Sequence, residues 1–297
     1  MNKQFLRFGF AIFIMITLPL FIYATSSTRK TGENYSIKAI KISNQLHFAN
    51  EIVPVDKSDI RERVDKELLV NTYWQSNGLL LIKRAHKFFP IIEPILSKYN
   101  IPQDFKYLAV IESGLQNVSS PAGAKGFWQL MPKTAREKGL EVNSNVDERY
   151  DVEKATHAAC AYILKAKEKF GNWTAAAASY NLGISGLRRR MQEQMVQDYY
   201  DVLLPEETSR YIPRIIAVKE ILSKPYDYGF VYDENDLYSM PKFKTLKIDT
   251  AIANVSEFAK LHKTNYKELK ILNPWLKENK LNNKSRKTYY IKIPHEK

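Results

Sequence analysis

Residues 102–114 read "PQDFKYLAVIESG". Pro102 suits the start of a helix, and Gly114 ends it. Between them Leu108, Ala109, Val110 and Ile111 run directly into Glu112. A carboxyl on so apolar a helix is partly buried. Burial favours its neutral form and raises its pKa, which suits a general acid near neutral pH. Taken alone, the same residue also fits a structural cap or an ion pair.

Three further blocks follow. The loop "SSPAGAKGFWQLMPKTA" (119–135) has Gly123 and Gly126 for tight turns. It adds Phe127 and Trp128 as apolar surface and Gln129 as both donor and acceptor, a composition that suits a sugar ring. "AAAASYNLG" (175–183) sets Tyr180 and Asn181 at the end of a tightly packing alanine segment. "ETSRY" (207–211) contributes Glu207 and Tyr211. Around these blocks the chain reads as helix from 57 to 225. "SDIRERVDKELLVNTYW" starts on a cap-type residue with early acids. "LLLIKRAHKFFPIIEPILSKYN" should be bent or divided at Pro90 and Pro94. "DVEKATHAACAYILKAKEKFGN" ends at Gly171, and "PEETSRYIPRIIAVKEIL" reads as one helix with Pro213 inside it.

The order Glu-Ser, Gly-x-x-Gly-aromatic-x-Gln-hydrophobic-Met-Pro, Ala-x-Tyr-Asn-x-Gly, Glu-Thr-x-x-Tyr resembles the catalytic domain of the lytic transglycosylases, glycoside hydrolase family 23. Here these blocks are Glu112-Ser113, 123–132, 178–183 and 207–211. The resemblance implies a mainly α fold with a lysozyme-like helical catalytic domain. It implies Glu112 as the single catalytic acid and base, with Ser113 beside it near the sugar. Phe127, Gln129 and Met131 would line the cleft. Tyr180 and Asn181 would hold Glu112 and the N-acetyl group, and Glu207 would support the site with Tyr211 nearby. The implied reaction cuts the N-acetylmuramic acid–N-acetylglucosamine β-1,4 bond of peptidoglycan and leaves a 1,6-anhydromuramyl end. A muramidase of the goose-lysozyme kind and a non-catalytic wall-binding protein are the alternatives. No cofactor or metal is implied.

After Pro225 the texture changes. "KTLKI" and "KTYYIKI" read as short strands, and "VSEFAKLHKT" and "NYKELKILNP" as one helix each, giving β-α-α-β over 242–294. The match at Phe258-Ala259, Tyr266, Leu269, 272–274 and 291–294 resembles LysM, a module that binds N-acetylglucosamine-containing glycans. Its usual Gly-Asp-Thr-Leu opening is replaced by "DTAIANV", and a structural appendage is the other reading. The domain scheme is therefore 1–27 signal peptide or N-terminal membrane anchor, 28–57 linker or lead-in, 58–225 catalytic, 226–241 linker and 242–294 LysM-like module.

The N-terminal run from Phe8 to Ser27 is uncharged and follows Lys3 and Arg7. It reads as an export signal or an anchor, which places the chain in the periplasm or cell envelope. The 297 residues suit about two domains. The one cysteine, Cys160, excludes an intrachain disulfide framework and a multi-thiolate metal site. The five histidines show no metal-binding spacing. Net charge is +13, and residues 241–297 hold 14 Lys and Arg against 5 Asp and Glu, a net of +9. The basic character thus belongs to the C-terminal module, and peptidoglycan strands rather than nucleic acid are the expected partner.

Overall fold

The computed structural model describes residues 37–295. The apolar N-terminal run read as a signal or anchor lies outside the described residues. Among the described residues, no helix is long and apolar enough to cross a membrane.

A two-strand hairpin comes first, with β1 (His47–Phe48) antiparallel to β2 (Glu51–Ile52). Its turn places Ala49 and Asn50 at positive φ, 52° and 65°, the left-handed pair that matches strand twist. The Ala49 N–H donates to Asp104 Oδ2 at 2.7 Å, which holds the strained residue. The sequence reading treats 28–57 as a lead-in. Leu46, Phe48, Val53 and Val55 instead fill the core of the helical region. The signal was weak because each alternating pair, 46 with 48 and 53 with 55, is too short to stand out as a strand.

Nine helices follow among the described residues of this region: α1 (Ser58–Tyr73), α2 (Gln75–Lys98), α3 (Lys106–Ser113), α4 (Pro132–Glu137), α5 (Val152–Phe170), α6 (Trp173–Leu182), α7 (Ile184–Glu193), α8 (Glu206–Ser209) and α9 (Tyr211–Ser223). Helix α2 is not divided at its prolines. Pro90 and Pro94 lie one turn apart on the exposed side, where water can solvate the carbonyls they leave unpaired. The segment around Pro213 does divide, into α8 and α9 at Arg210. Pro213 then sits in the first turn of α9, where its missing N–H would have had no helical partner.

Helix α6 is alanine-rich, and Ala175 to Ala178 are fully or almost fully buried. Small side chains let it pack closely between its neighbours. Its N-terminus is capped twice. Asn172 Oδ1 accepts from the Ala175 N–H at 2.7 Å. Glu51, from the distant hairpin, accepts from the N–H groups of Trp173 and Thr174 at 2.6 and 2.7 Å and from the Thr174 hydroxyl at 2.7 Å. A carboxylate there also meets the positive end of the helix dipole.

The C-terminal module is β3 (Phe243–Ile248), α10 (Val255–Leu261), α11 (Tyr266–Leu272) and β4 (Tyr289–Pro294), with β3 and β4 antiparallel and in register from Phe243–Pro294 to Ile248–Tyr289. It has its own core of Val255, Ala259, Leu269, Trp275, Ile291 and Ile293. The stretch 226–241, read as a linker, places Phe230 in the helical core, where its ring lies over Gly78 of α2. Cys160 is fully buried, and burial pushes its thiol up to about 12, so it behaves as a small core residue.

Replacing Glu51 by alanine removes three hydrogen bonds at the start of α6. Denaturant titration of Glu51→Ala is expected to show a loss of about 1–2 kcal/mol, the usual weight of a helix cap.

Candidate active site

Helix α3 carries Glu112 in its last turn. Tyr107, Leu108, Ala109 and Val110 are buried around most of this short helix. Gly114 ends it in the left-handed conformation at φ 59°, and Arg84 donates to the Gly114 carbonyl at 3.2 Å. Burial of the Glu112 carboxyl raises its pKa from the ordinary 4.5 to about 7. The Tyr211 hydroxyl, which donates to Glu112 Oε1 at 2.6 Å, and the Arg214 guanidinium pull the other way. The negative end of the α3 dipole lies near the carboxyl and disfavours its charge. Desolvation wins, so a neutral carboxyl persists to near neutrality.

The folded-state value lies above the unfolded one. Deprotonation therefore weakens the fold progressively as pH rises from about 4.5 through about 7.

The loop that follows is stitched by its carbonyls. Ser113 Oγ donates to the Phe127 carbonyl at 2.9 Å and also lies 3.0 Å from the Ala109 carbonyl. Tyr180 donates to the Trp128 carbonyl at 2.8 Å. Trp128 Nε1 donates to Thr156 Oγ1 at 2.8 Å. Gln129 sits at φ 43°, and its Nε2 donates to the carbonyls of Val118 at 3.1 Å and Gly126 at 2.8 Å. Gly126 has no alternative residue, because a Cβ there would lie 1.9 Å from the Arg149 carbonyl oxygen.

The structure thus brings Glu112 and Tyr211 into direct contact and draws Ser113, Phe127, Gln129 and Tyr180 into one framework around them. Ser113 is buried, with its hydroxyl on backbone carbonyls instead of facing a cleft. Phe127 is buried against Phe88, edge to face at 4.6 Å. Tyr180 bonds the loop and not Glu112, although the Glu112 charge helps hold its hydroxyl protonated after burial, the larger cause. Met131, Asn181 and Glu207 are exposed.

Two features escape the sequence reading. Glu67 of α1 is 1% exposed and ion-paired with Arg210 at 2.5 Å and Arg214 at 3.7 Å. It shares a helical face with Ile60, Val64 and Leu68, and that spacing was its signal. Arg149 is equally buried. It grips Asp147 with Nε at 2.9 Å and Nη2 at 2.8 Å, while Nη1 donates to the Gly123 carbonyl at 2.9 Å and the Leu130 carbonyl at 3.0 Å. No periodicity in "DERYD" marks that role. Among the described residues, no three His, Cys, Asp or Glu side chains converge as a metal site.

Two stretches of the chain match known domain families. Residues 90–203 match the Transglycosylase SLT domain, and residues 244–297 match the Soluble lytic transglycosylase C-terminal LysM-like domain. Membrane-bound lytic murein transglycosylase D from Escherichia coli K12 is 31% identical over 176 residues, 57% of this chain and 38% of that protein. The same protein from Escherichia coli O6:H1 matches equally. The match therefore spans well under half the length of these relatives. The crystal structure of the 70 kDa soluble lytic transglycosylase from Escherichia coli aligns at 18% identity and a TM-score of 0.43, over 67% of this chain and 40% of that one.

Two measurements check the geometry. Gly126→Ala forces a Cβ into the Arg149 backbone, and a loss of about 3 kcal/mol or more is expected in thermal or chemical unfolding. In Tyr211→Phe the hydrogen bond favouring the carboxylate is gone, so the Glu112 midpoint should move above its wild-type value of about 7 in a carboxyl NMR titration.

Proposed function

From a chain that carries a transglycosylase SLT domain at 90–203 and a LysM-like domain of the soluble lytic transglycosylase type at 244–297, we propose a peptidoglycan lytic transglycosylase. The observation that carries this reading is the Glu112 carboxyl, desolvated to a pKa of about 7 and hydrogen-bonded by Tyr211. The Arg214 guanidinium pulls it back toward the carboxylate. In this reading one carboxyl acts as acid and then as base, in place of the usual pair of carboxylates.

Protonated Glu112 gives its proton to the glycosidic oxygen between N-acetylmuramic acid and N-acetylglucosamine as the C1–O bond breaks. The substrate's own 2-acetamido group stabilises the cationic C1. The Glu112 carboxylate, steadied by Tyr211, then takes the proton of the muramyl O6 hydroxyl. That oxygen bonds to C1 and closes the 1,6-anhydro ring. Glu112 ends as it began, and no water is consumed. An internal nucleophile supplies the proximity advantage. Gln129 and Met131 line the cleft, Asn181 meets the N-acetyl group, and Ser113, Phe127 and Tyr180 fix the loop. Glu207 supports the rim.

The catalytic region is 58–225, with the 47–52 hairpin packed on it, and 242–294 is the module. The N-terminal segment exports the chain to the periplasm or envelope as a cleaved signal or a membrane anchor. Peptidoglycan glycan is the partner.

Mass spectrometry of products from purified sacculi tests the reaction. Anhydromuramyl ends are expected, and exclusive reducing ends would replace this reading with hydrolysis. Glu112→Gln should lower turnover by roughly 10²–10⁴-fold, the range of general acid–base catalysis. The same variant should be at least as stable as wild type above pH 7, because it removes a buried charge. Wild-type activity should fall as pH rises through about 7, as the acid form of Glu112 is lost.

A further inference from the structure

The LysM-like module does not hang free of the enzyme. The segment after α11 pairs with the segment before Arg149. Val146 bridges Leu276, the Asp147 N–H donates to the Trp275 carbonyl at 2.9 Å, and the Lys277 N–H donates to the Asn145 carbonyl at 2.9 Å. Val146, 1% exposed, is part of the module's own core. The buried Asn145 side chain donates to the Lys280 carbonyl at 2.8 Å and accepts from the Asn282 N–H at 2.8 Å. Lys287 reaches Glu141 at 2.7 Å and the buried Glu148 at 3.3 Å. Tyr289 donates to Glu141 at 2.9 Å.

One residue beyond Val146 is Asp147, whose carboxylate holds the Arg149 fork. Arg149 in turn holds both ends of the loop that presents Gln129, at Gly123 and Leu130. A continuous path of backbone pairing and buried hydrogen bonds therefore runs from the module to that loop. A second contact lies beside it. An open-sided cavity of about 90 Å³ has Phe127 and Tyr150 on the enzyme side and Phe243 and Trp275 on the module side.

The geometry points to the module as a fixed brace for the substrate-facing loop, with Asn145 and Arg149 as positioning residues that transmit its docking to Gln129. This rests on the reading that Gln129 faces the glycan. Lys277, Lys280, Asn282 and Lys287 each bond residues of the enzyme, so the module helps to shape the cleft.

The test uses the full chain and a soluble peptidoglycan fragment of a few disaccharides. Asn145→Ala should raise KM about ten-fold, the weight of one lost net hydrogen bond. Lys287→Ala should raise it about three-fold, the scale of a partly exposed ion pair, and Lys287→Arg should restore it. Lys267→Ala, exposed on α11 and part of none of these bonds, should change nothing. A brace that only stabilised the fold would lower kcat through lost folded protein and leave KM alone. An unchanged KM in both alanine variants overturns the proposal.

Amide hydrogen exchange over 123–130 tests the brace apart from activity. Exchange should quicken about ten-fold in Asn145→Ala and not in Lys267→Ala. Unchanged exchange sinks the brace even in an active enzyme. A wild-type chain that cleaves nothing, with exchange still faster in Asn145→Ala, sinks the function and leaves the brace standing.

Discussion

A carboxyl must stay protonated near neutral pH at the end of a short helix. This constraint organises the helical region. Neutral Glu112 requires removal of water, and α3 provides it with Leu108, Ala109 and Val110 at its back. The same carboxyl must also survive as an anion for part of the time, and Tyr211 and Arg214 limit how costly that is. Arg214 is itself restrained by Glu67. The balance is set by three helices, α1, α3 and α9, meeting around one oxygen pair. A carboxyl with less burial would be ionised at neutral pH, and one with no donor would hold its proton more tightly and give it up less readily.

The loop from Gly123 to Leu130 obeys a second rule, that buried carbonyls find donors. Its donors come from side chains scattered over the fold: Ser113 from α3, Tyr180 from α6, and Arg149 from the segment before α5. Residues that a sugar-binding reading aims at the ligand thus act one step back, on the backbone of the loop. Only Gly126 fits where the loop crosses Arg149. The loop is rigid through its partners more than through its own sequence.

Sequence was most informative where the signal is local. Helix α5, with Asp151 at its start and left-handed Gly171 at its end, followed from caps and periodicity. The β-α-α-β order of the module followed from short β-branched and aromatic runs. Glu112 stood out because a charge interrupts an apolar stretch. Long-range partners left little trace. The Arg149–Asp147 fork depends on carbonyls 26 and 19 residues away, and the docking of the module depends on pairing between residues 145–147 and 275–277. Prolines misled in both directions, because solvent exposure decides whether a helix tolerates them. Pro90 and Pro94 are exposed, while Pro213 begins a new helix.

Glu51 precedes the N–H groups it caps by 122 and 123 residues. A ten-residue segment such as α6 is too short to persist as a helix alone. Its second cap forms only after a very long loop of chain has closed, which makes that capping a late event on the folding pathway. In a chain made from its N-terminus, the hairpin comes first and waits for its helix. The Glu112 site is complete only once Tyr211, which lies beyond that helix, has also been made.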